Sequence, residues 1–260
     1  SMTKETLLKE TDAFLFDLDG TVYLDETPIG DVKGTLARLR AMHKRIVFLT
    51  NNSSKTEAEY RQKLTRIGLW GEGDLVYTSA MATAEYVAAR FPHKRVYLLA
   101  TDAVKEEFSR TVPLAEEAPD VVILAYDTTL TFAKMKRFNE FLAGGAVFLA
   151  THPDAVCPTA GVSMPDVGAF LELFYTSSGR RPDLIVGKPG TAMGEGLERR
   201  FGIPRARMCM TGDRMHTDIR FGNNCGMHTV LVLSGETTEE TMKNFPDRPD
   251  LVLPDVNALV

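Results

Sequence analysis

The chain has 260 residues, enough to bury a substantial core as one large domain or as a core with an inserted module. Its 44% apolar and 25% charged residues are ordinary globular composition, and a formal net charge of −5 argues against nucleic acid and against an anionic membrane surface as partners. The opening Ser1-Met2-Thr3-Lys4-Glu5 leads into charged sequence, not the apolar core of a secretory signal, and Ser1 ahead of Met2 reads as an added residue. No apolar run is long enough to span a bilayer. Three cysteines, Cys157, Cys209 and Cys225, show no CxxC spacing, which argues against a disulfide framework or a zinc site and fits a reducing cytoplasm.

Ala13-Phe14-Leu15-Phe16 is a short apolar run that stops at Asp17 and predicts a buried strand. A helix is predicted around Val32–His43, then a strand Arg45–Leu49 ending at Thr50-Asn51-Asn52-Ser53, then a helix over about Thr56–Ile67. Strand, helix, strand, helix is the pattern of a parallel sheet with crossovers. The middle reads as a separate unit. Its predicted strands are Val96–Ala100, Val121–Ala125 and Val147–Ala150, and its predicted helices lie near Ala103–Arg110, Phe132–Ala143 and Val167–Tyr175. Between them, Thr151–Asp166 is a long Pro- and Thr-rich loop of the length that tends to carry function. The first pattern then resumes. Leu184–Val186 runs into Gly187-Lys188-Pro189, a helix covers Ala192–Phe201, and Met208–Met210 reaches Thr211-Gly212-Asp213. A helix over 217–224, a strand Thr229–Leu233 and a last strand Leu251–Leu253 follow.

Asp17, Thr50, Lys188 and Asp213 each stand directly after an apolar strand, where open α/β sheets bind their ligands. Asp17 and Asp19, two apart on extended chain, share a face. Two such carboxylates repel unless a cation neutralises one, leaving the other to hold a proton as a general acid. Thr50 offers a hydroxyl and Asn51 a backbone N–H to phosphate oxygens, at the start of a helix whose dipole favours an anion. Lys188 supplies a point charge for a phosphoryl group. Asp213 is a further carboxylate for a metal, and Asp218 can hold a metal-bound water or orient Lys188. Oxygen-only donors suit Mg²⁺.

Together these motifs resemble a known family. Asp17-Leu18-Asp19-Gly20-Thr21-Val22, Thr50-Asn51-Asn52-Ser53, Gly187-Lys188-Pro189 and Gly212-Asp213-Arg214 through Thr217-Asp218 are similar to motifs I to IV of the haloacid dehalogenase (HAD) superfamily. Their wording resembles the NagD-like, or p-nitrophenylphosphatase-like, branch. The resemblance implies a doubly wound, Rossmann-like α/β core over 1–80 and 181–260 and an inserted C2-type α/β cap over 81–180. It implies a Mg²⁺-dependent phosphatase of small phosphate monoesters working through an aspartyl-phosphate intermediate. Asp17 would be nucleophile and Mg²⁺ ligand. Asp19 would be acid/base and bind the metal through its carbonyl. Thr50, Asn51 and Lys188 would hold the phosphoryl group, and Asp213 would bind Mg²⁺ with Asp218 behind it. By analogy alone, it also implies a homodimer.

The resemblance places a substrate-specificity loop at about Thr151–Thr159, where Thr151-His152-Pro153-Asp154 departs from the usual Thr-Asn-x-Asp. His152, Asp154 and Cys157 are therefore expected to shape the leaving-group pocket. His43, His93, His216 and His228 read as surface or structural residues. A dehalogenase has no need of Asp19, a phosphomutase must shield its phospho-aspartate from water, a receiver-like domain has no inserted cap and lacks the Asp at +2, and a catalytically silent cap-mediated phosphate sensor would be expected to carry damaged motifs, which these are not.

Overall fold

The computed structural model describes residues 2–260; Ser1, read above as an added residue, lies outside them. The chain divides into two compact units, one of residues 2–50, Glu57–Tyr77 and Lys188–Val260, the other of Asn51–Thr56 and Thr78–Gly187.

The first unit is built on Ala13–Phe16, whose four residues are all buried. It lies in the middle of a six-stranded sheet ordered Leu251–Leu253, His228–Val232, Met208–Gly212, Ala13–Phe16, Arg45–Thr50, Leu75–Thr78. The pairs from Leu251–Leu253 through Arg45–Thr50 are parallel. Sequence and space thus run outward in both directions from Ala13–Phe16 and Met208–Gly212, the doubly wound order, with its topological switch point between those two strands. Both faces are covered, which is why these strands read as unbroken apolar runs. Phe14, Phe16, Phe48 and Val230 pack with Val32, Leu36, Leu39, Tyr60 and Leu64 from the helices Val32–Ala41 and Glu57–Arg66. The alternate residues Leu15, Val47 and Met210 are buried on the opposite face.

The second unit has its own four-stranded parallel sheet, Val96–Leu99, Val121–Leu124, Val147–Ala150 and Leu184–Ile185 in spatial sequence. Ala84, Val87, Val104 and Phe108 of the helices Ser79–Arg90 and Asp102–Ser109 cover one face. Phe138, Leu142, Val167, Leu171 and Phe174 of the helices Phe132–Ala143 and Val167–Ser178 cover the other. Leu184–Ile185, grouped above with the first pattern, instead pairs with Val147–Ala150. Its two half-buried residues find an open edge on that sheet.

Elements not anticipated include the helices Lys4–Glu10, Ser79–Arg90 and Glu239–Met242, the strand Leu75–Thr78, the hairpin Tyr23–Leu24/Thr27–Pro28 and the 3₁₀ turns Arg205–Arg207 and Val256–Leu259. Leu75–Thr78 passes into its helix with no glycine or proline between them; the boundary is set by Thr78, whose side chain accepts from the Met81 N–H. The helix expected at 217–224 opens with a π-helical turn, Met215–Ile219, before the α-helix Arg220–Cys225. The expected loop Thr151–Asp166 contains a short antiparallel pair, Val156–Cys157 with Met164–Pro165. Among the described residues, no helix is long and apolar enough to cross a membrane.

Phe138 is fully buried, with the rings of Phe174 and Phe148 at centroid distances of 4.9 and 5.6 Å. Phe138→Ala is expected to cost about 3–5 kcal/mol of stability, read by chemical denaturation, because the surrounding rings cannot close the cavity. A loss below about 1 kcal/mol would contradict this packing.

Candidate active site

Asp17 leaves its strand at the switch point. Phe16 is in register with Thr211, and the Asp17 N–H donates to the Thr211 carbonyl at 3.1 Å, so Asp213 projects from the neighbouring strand end. Thr50, buried, ends the strand on the other side, where Phe16 is in register with Phe48. Lys188 is 1% exposed; its Nζ donates to Asp218 Oδ1 at 2.7 Å and lies 3.5 Å from Asp17 Oδ1. Asp218 is fully buried and its second oxygen accepts from the Arg214 N–H at 3.1 Å. The π-helical turn that carries Asp218 follows directly on Arg214, so the carboxylate folds back over the strand end.

Asp213 sits in a backbone cradle. Its Oδ1 accepts from Thr21 Oγ1 at 3.2 Å and its Oδ2 from the Glu236 N–H at 2.9 Å. Gly20, at φ +89°, and Gly235 both bring bare Cα atoms against this carboxylate, and a Cβ on either would run into it. Ser234 Oγ ties the two glycine turns together by donating to the Gly20 carbonyl at 2.7 Å. A side chain at Gly212 would similarly strike Asp218.

Asp17, Asp213 and Asp218 can each present a carboxylate oxygen within 4.8 Å of the others. Burial pushes the Asp213 carboxyl up to about 7, with the Asp17 charge adding to it. Burial also raises Asp218, again with Asp17 second. This all-oxygen set of crowded carboxylates fits a hard divalent cation, which would favour their ionised forms. One Asp218 oxygen is taken by the Lys188 ammonium at 2.7 Å, while the Asp213 oxygens accept from the neutral Thr21 hydroxyl and Glu236 N–H, so Asp17 and Asp213 are the better direct donors and Asp218 the better anchor for Lys188. Asp19 lies at the rim. It keeps a face to solvent, yet loss of hydration raises its carboxyl, opposed by a hydrogen bond from the Asp25 N–H at 3.1 Å. A raised carboxyl on an accessible edge suits a proton donor.

Asn51, His152, Asp154 and Cys157 belong to the second unit. Asn51 is buried, and its Nδ2 donates to Asp154 Oδ1 at 3.0 Å. His152, expected to line a leaving-group pocket, instead has a fully buried ring. Its Nε2 lies 2.7 Å from Asp166 Oδ1, and its Nδ1 lies 2.9 Å from Thr151 Oγ1. Thr151 Oγ1 is in turn 2.9 Å from Ser53 Oγ, which accepts from the Tyr126 N–H at 2.8 Å. His152 therefore shapes the loop from inside. Cys157 is half-buried in the short antiparallel pair.

Sequence reading passed over Thr21, the Gly235-Glu236 turn, Ser79 and Asp166. Thr21 lay inside a quoted motif, and Ser234-Gly235 directly follows a strand, so those two carried a signal. Ser79 and Asp166 act through partners 28 and 14 residues away and carried none.

Gly235→Ala is expected to lower kcat/KM by about 10²-fold by displacing Asp213 while leaving the circular dichroism spectrum unchanged. Undiminished activity would mean that the cradle does not matter. A second expectation concerns pH. The folded state holds the Asp213 proton up to about pH 7. The unfolded chain releases it near pH 4, so metal-free stability falls as pH rises through that window. Calorimetry across the window in EDTA should show a steeper fall for the wild type than for Asp213→Asn, which keeps only the contributions of the other raised carboxyls, and excess Mg²⁺ should reduce it. Identical slopes for the two proteins would contradict it.

Residues 14–111 match the haloacid dehalogenase-like hydrolase family, and residues 185–259 match a second, HAD-hydrolase-like family. Phosphoglycolate phosphatase 2 of Arabidopsis thaliana is 32% identical over 96% of this chain and 91% of its own. The crystal structure of a 4-nitrophenylphosphatase from Thermotoga maritima superposes with a TM-score of 0.93 at 38% identity, covering 97% of each chain. A glycerol phosphate phosphatase from Mycobacterium tuberculosis in complex with magnesium has a TM-score of 0.89 at 28% identity, over 97% of this chain and 78% of that one. The buried carboxylates at the switch point of a doubly wound sheet and these likenesses agree: the chain belongs to the haloacid dehalogenase-like hydrolases, as a phosphatase of the p-nitrophenylphosphatase-like branch.

Proposed function

We propose that this chain hydrolyses a small phosphate monoester with Asp17 as nucleophile and Asp19 as acid and base. The observation that carries the reading is the Lys188 ammonium, buried and held by Asp218 with its charge 3.5 Å from Asp17. That buried positive charge offsets the repulsion between the attacking carboxylate and an approaching anionic phosphoryl group. Asp17 attacks phosphorus in line, and the bond to the leaving oxygen breaks. Asp19 gives that oxygen its proton, so an alcohol departs and an aspartyl phosphate remains. Asp19, now ionised, takes a proton from water, which attacks the same phosphorus. Inorganic phosphate leaves and the Asp17 carboxylate is regenerated. Mg²⁺, held by Asp17, the Asp19 carbonyl and Asp213, would supply charge neutralisation for the phosphoryl oxygens. Thr50 and Asn51 are assigned to those oxygens, with Lys188.

Residues 81–180 are proposed to serve as a cap over a core of 1–80 and 181–260, admitting substrate and then excluding water. Sugar phosphates, nucleoside monophosphates and pyridoxal phosphate are the substrate classes to screen. Phosphoglycolate and glycerol phosphate are added to them because the relatives' names carry them. A cytoplasmic homodimer is the proposed setting.

Release of p-nitrophenol from p-nitrophenyl phosphate tests the assignment. The wild type should turn over only with Mg²⁺, and Asp17→Asn should fall to about a thousandth or less. Nitrophenolate leaves without protonation, so Asp19→Asn should still release about one equivalent in a burst and then stall, for want of a base in the second step. Steady turnover by Asp17→Asn, or no burst from Asp19→Asn, would reject the roles given to those residues.

A further inference from the structure

We propose that Asp154 is a positioning residue for the phosphate end of the substrate, acting through Asn51, and not a contact to the leaving group. The inference rests on the assignment of Asn51 to the phosphoryl oxygens. Asn51 is held at three points within the second unit. Its Nδ2 donates to Asp154 Oδ1 at 3.0 Å, and its carbonyl accepts from the fully buried Ser79 Oγ at 2.5 Å. Its Oδ1 lies against Gly187, where a Cβ would come within 2.7 Å of it. Asp154 is itself fixed. Its carbonyl accepts from the Gly168 N–H at 2.7 Å, at the start of the helix Val167–Ser178. Next to it, the Ala155 carbonyl accepts from the Asp166 N–H at 3.1 Å.

A second connection runs in parallel. Ser53, two residues after Asn51, reaches Thr151, His152 and Asp166 through side-chain hydrogen bonds of 2.9, 2.9 and 2.7 Å. The segment Asn51–Ser53 and the loop 151–166 are thus laced together at both ends, and a displaced loop carries Asn51 with it. A side chain whose carboxylate oxygen is spent on Asn51 contributes to every substrate alike, because every substrate brings the same phosphoryl group. A leaving-group contact would instead discriminate between substrates.

The test measures the inhibition constant of inorganic phosphate, together with kcat/KM for p-nitrophenyl phosphate and glycerol phosphate. Asp154→Ala should raise the phosphate constant about tenfold and lower kcat/KM for both substrates by the same factor, the size expected for a lost hydrogen bond to a charged group. Asp154→Asn keeps an acceptor for Asn51 Nδ2 and should restore most of the loss. Ser79→Ala removes the other anchor and should reproduce the alanine signature. In an Asn51→Ala background, Asp154→Ala should add nothing. The proposal is overturned if Asp154→Ala leaves the phosphate constant unchanged, or if its losses differ between the two substrates. It also fails if Asn51→Ala leaves the phosphate constant unchanged. In that case the Asn51 assignment falls with it, while the Asp19→Asn burst still stands or falls on its own.

Discussion

The charge balance at one end of one sheet constrains everything else in the first unit. Asp17, Asp213 and Asp218 crowd together with Lys188 as their buried cation, so full ionisation leaves two negative charges uncompensated. Burying such charges unpaired costs several kcal/mol per ion. A divalent cation would supply the missing charge; burial and the Asp17 charge drive the Asp213 carboxyl up toward neutral pH.

The fold makes that crowding possible. In a doubly wound sheet the two central strands send their following loops to opposite faces, which opens a crevice at their carboxyl ends. Asp17 and Asp213 stand at that point. Side chains alone cannot bring them so close to other groups, and the cradle is made largely of backbone: the Glu236 N–H, the bare Cα atoms of Gly20 and Gly235, and the turn before Asp218. Backbone donors are already oriented and cost no side-chain entropy when charge develops. The hydrophobic faces packed on either side of the sheet keep those donors from relaxing away.

How legible each part was in the sequence follows from how local its physics is. Asp17, Thr50 and Asp213 could be read because each ends a run of buried apolar residues, and a strand end is a local property. Lys188 could be read as a charge, but the strand before it pairs in the second sheet, since two half-buried residues do not reveal which edge they will join. The strand Leu75–Thr78 was hidden by its direct passage into a helix. The burial of His152 was hidden for a different reason. Its loop is conspicuous in composition, but the partner that buries it, Asp166, lies at the far end of that loop. Hydrogen bonds such as Ser79 to Asn51 leave no periodic trace, and only the folded chain reveals them.

The central claim is that phosphorus passes through a covalent bond to Asp17. Mass spectrometry of the wild type, acid-quenched during turnover with Mg²⁺ and digested, tests it most directly. The account predicts one added phosphoryl group on the peptide that carries Asp17, none on Asp17→Asn, and hydrolysis of the adduct when the quenched protein is returned to alkaline solution. A phosphoryl group on any other residue, or turnover with no adduct on that peptide, would contradict it.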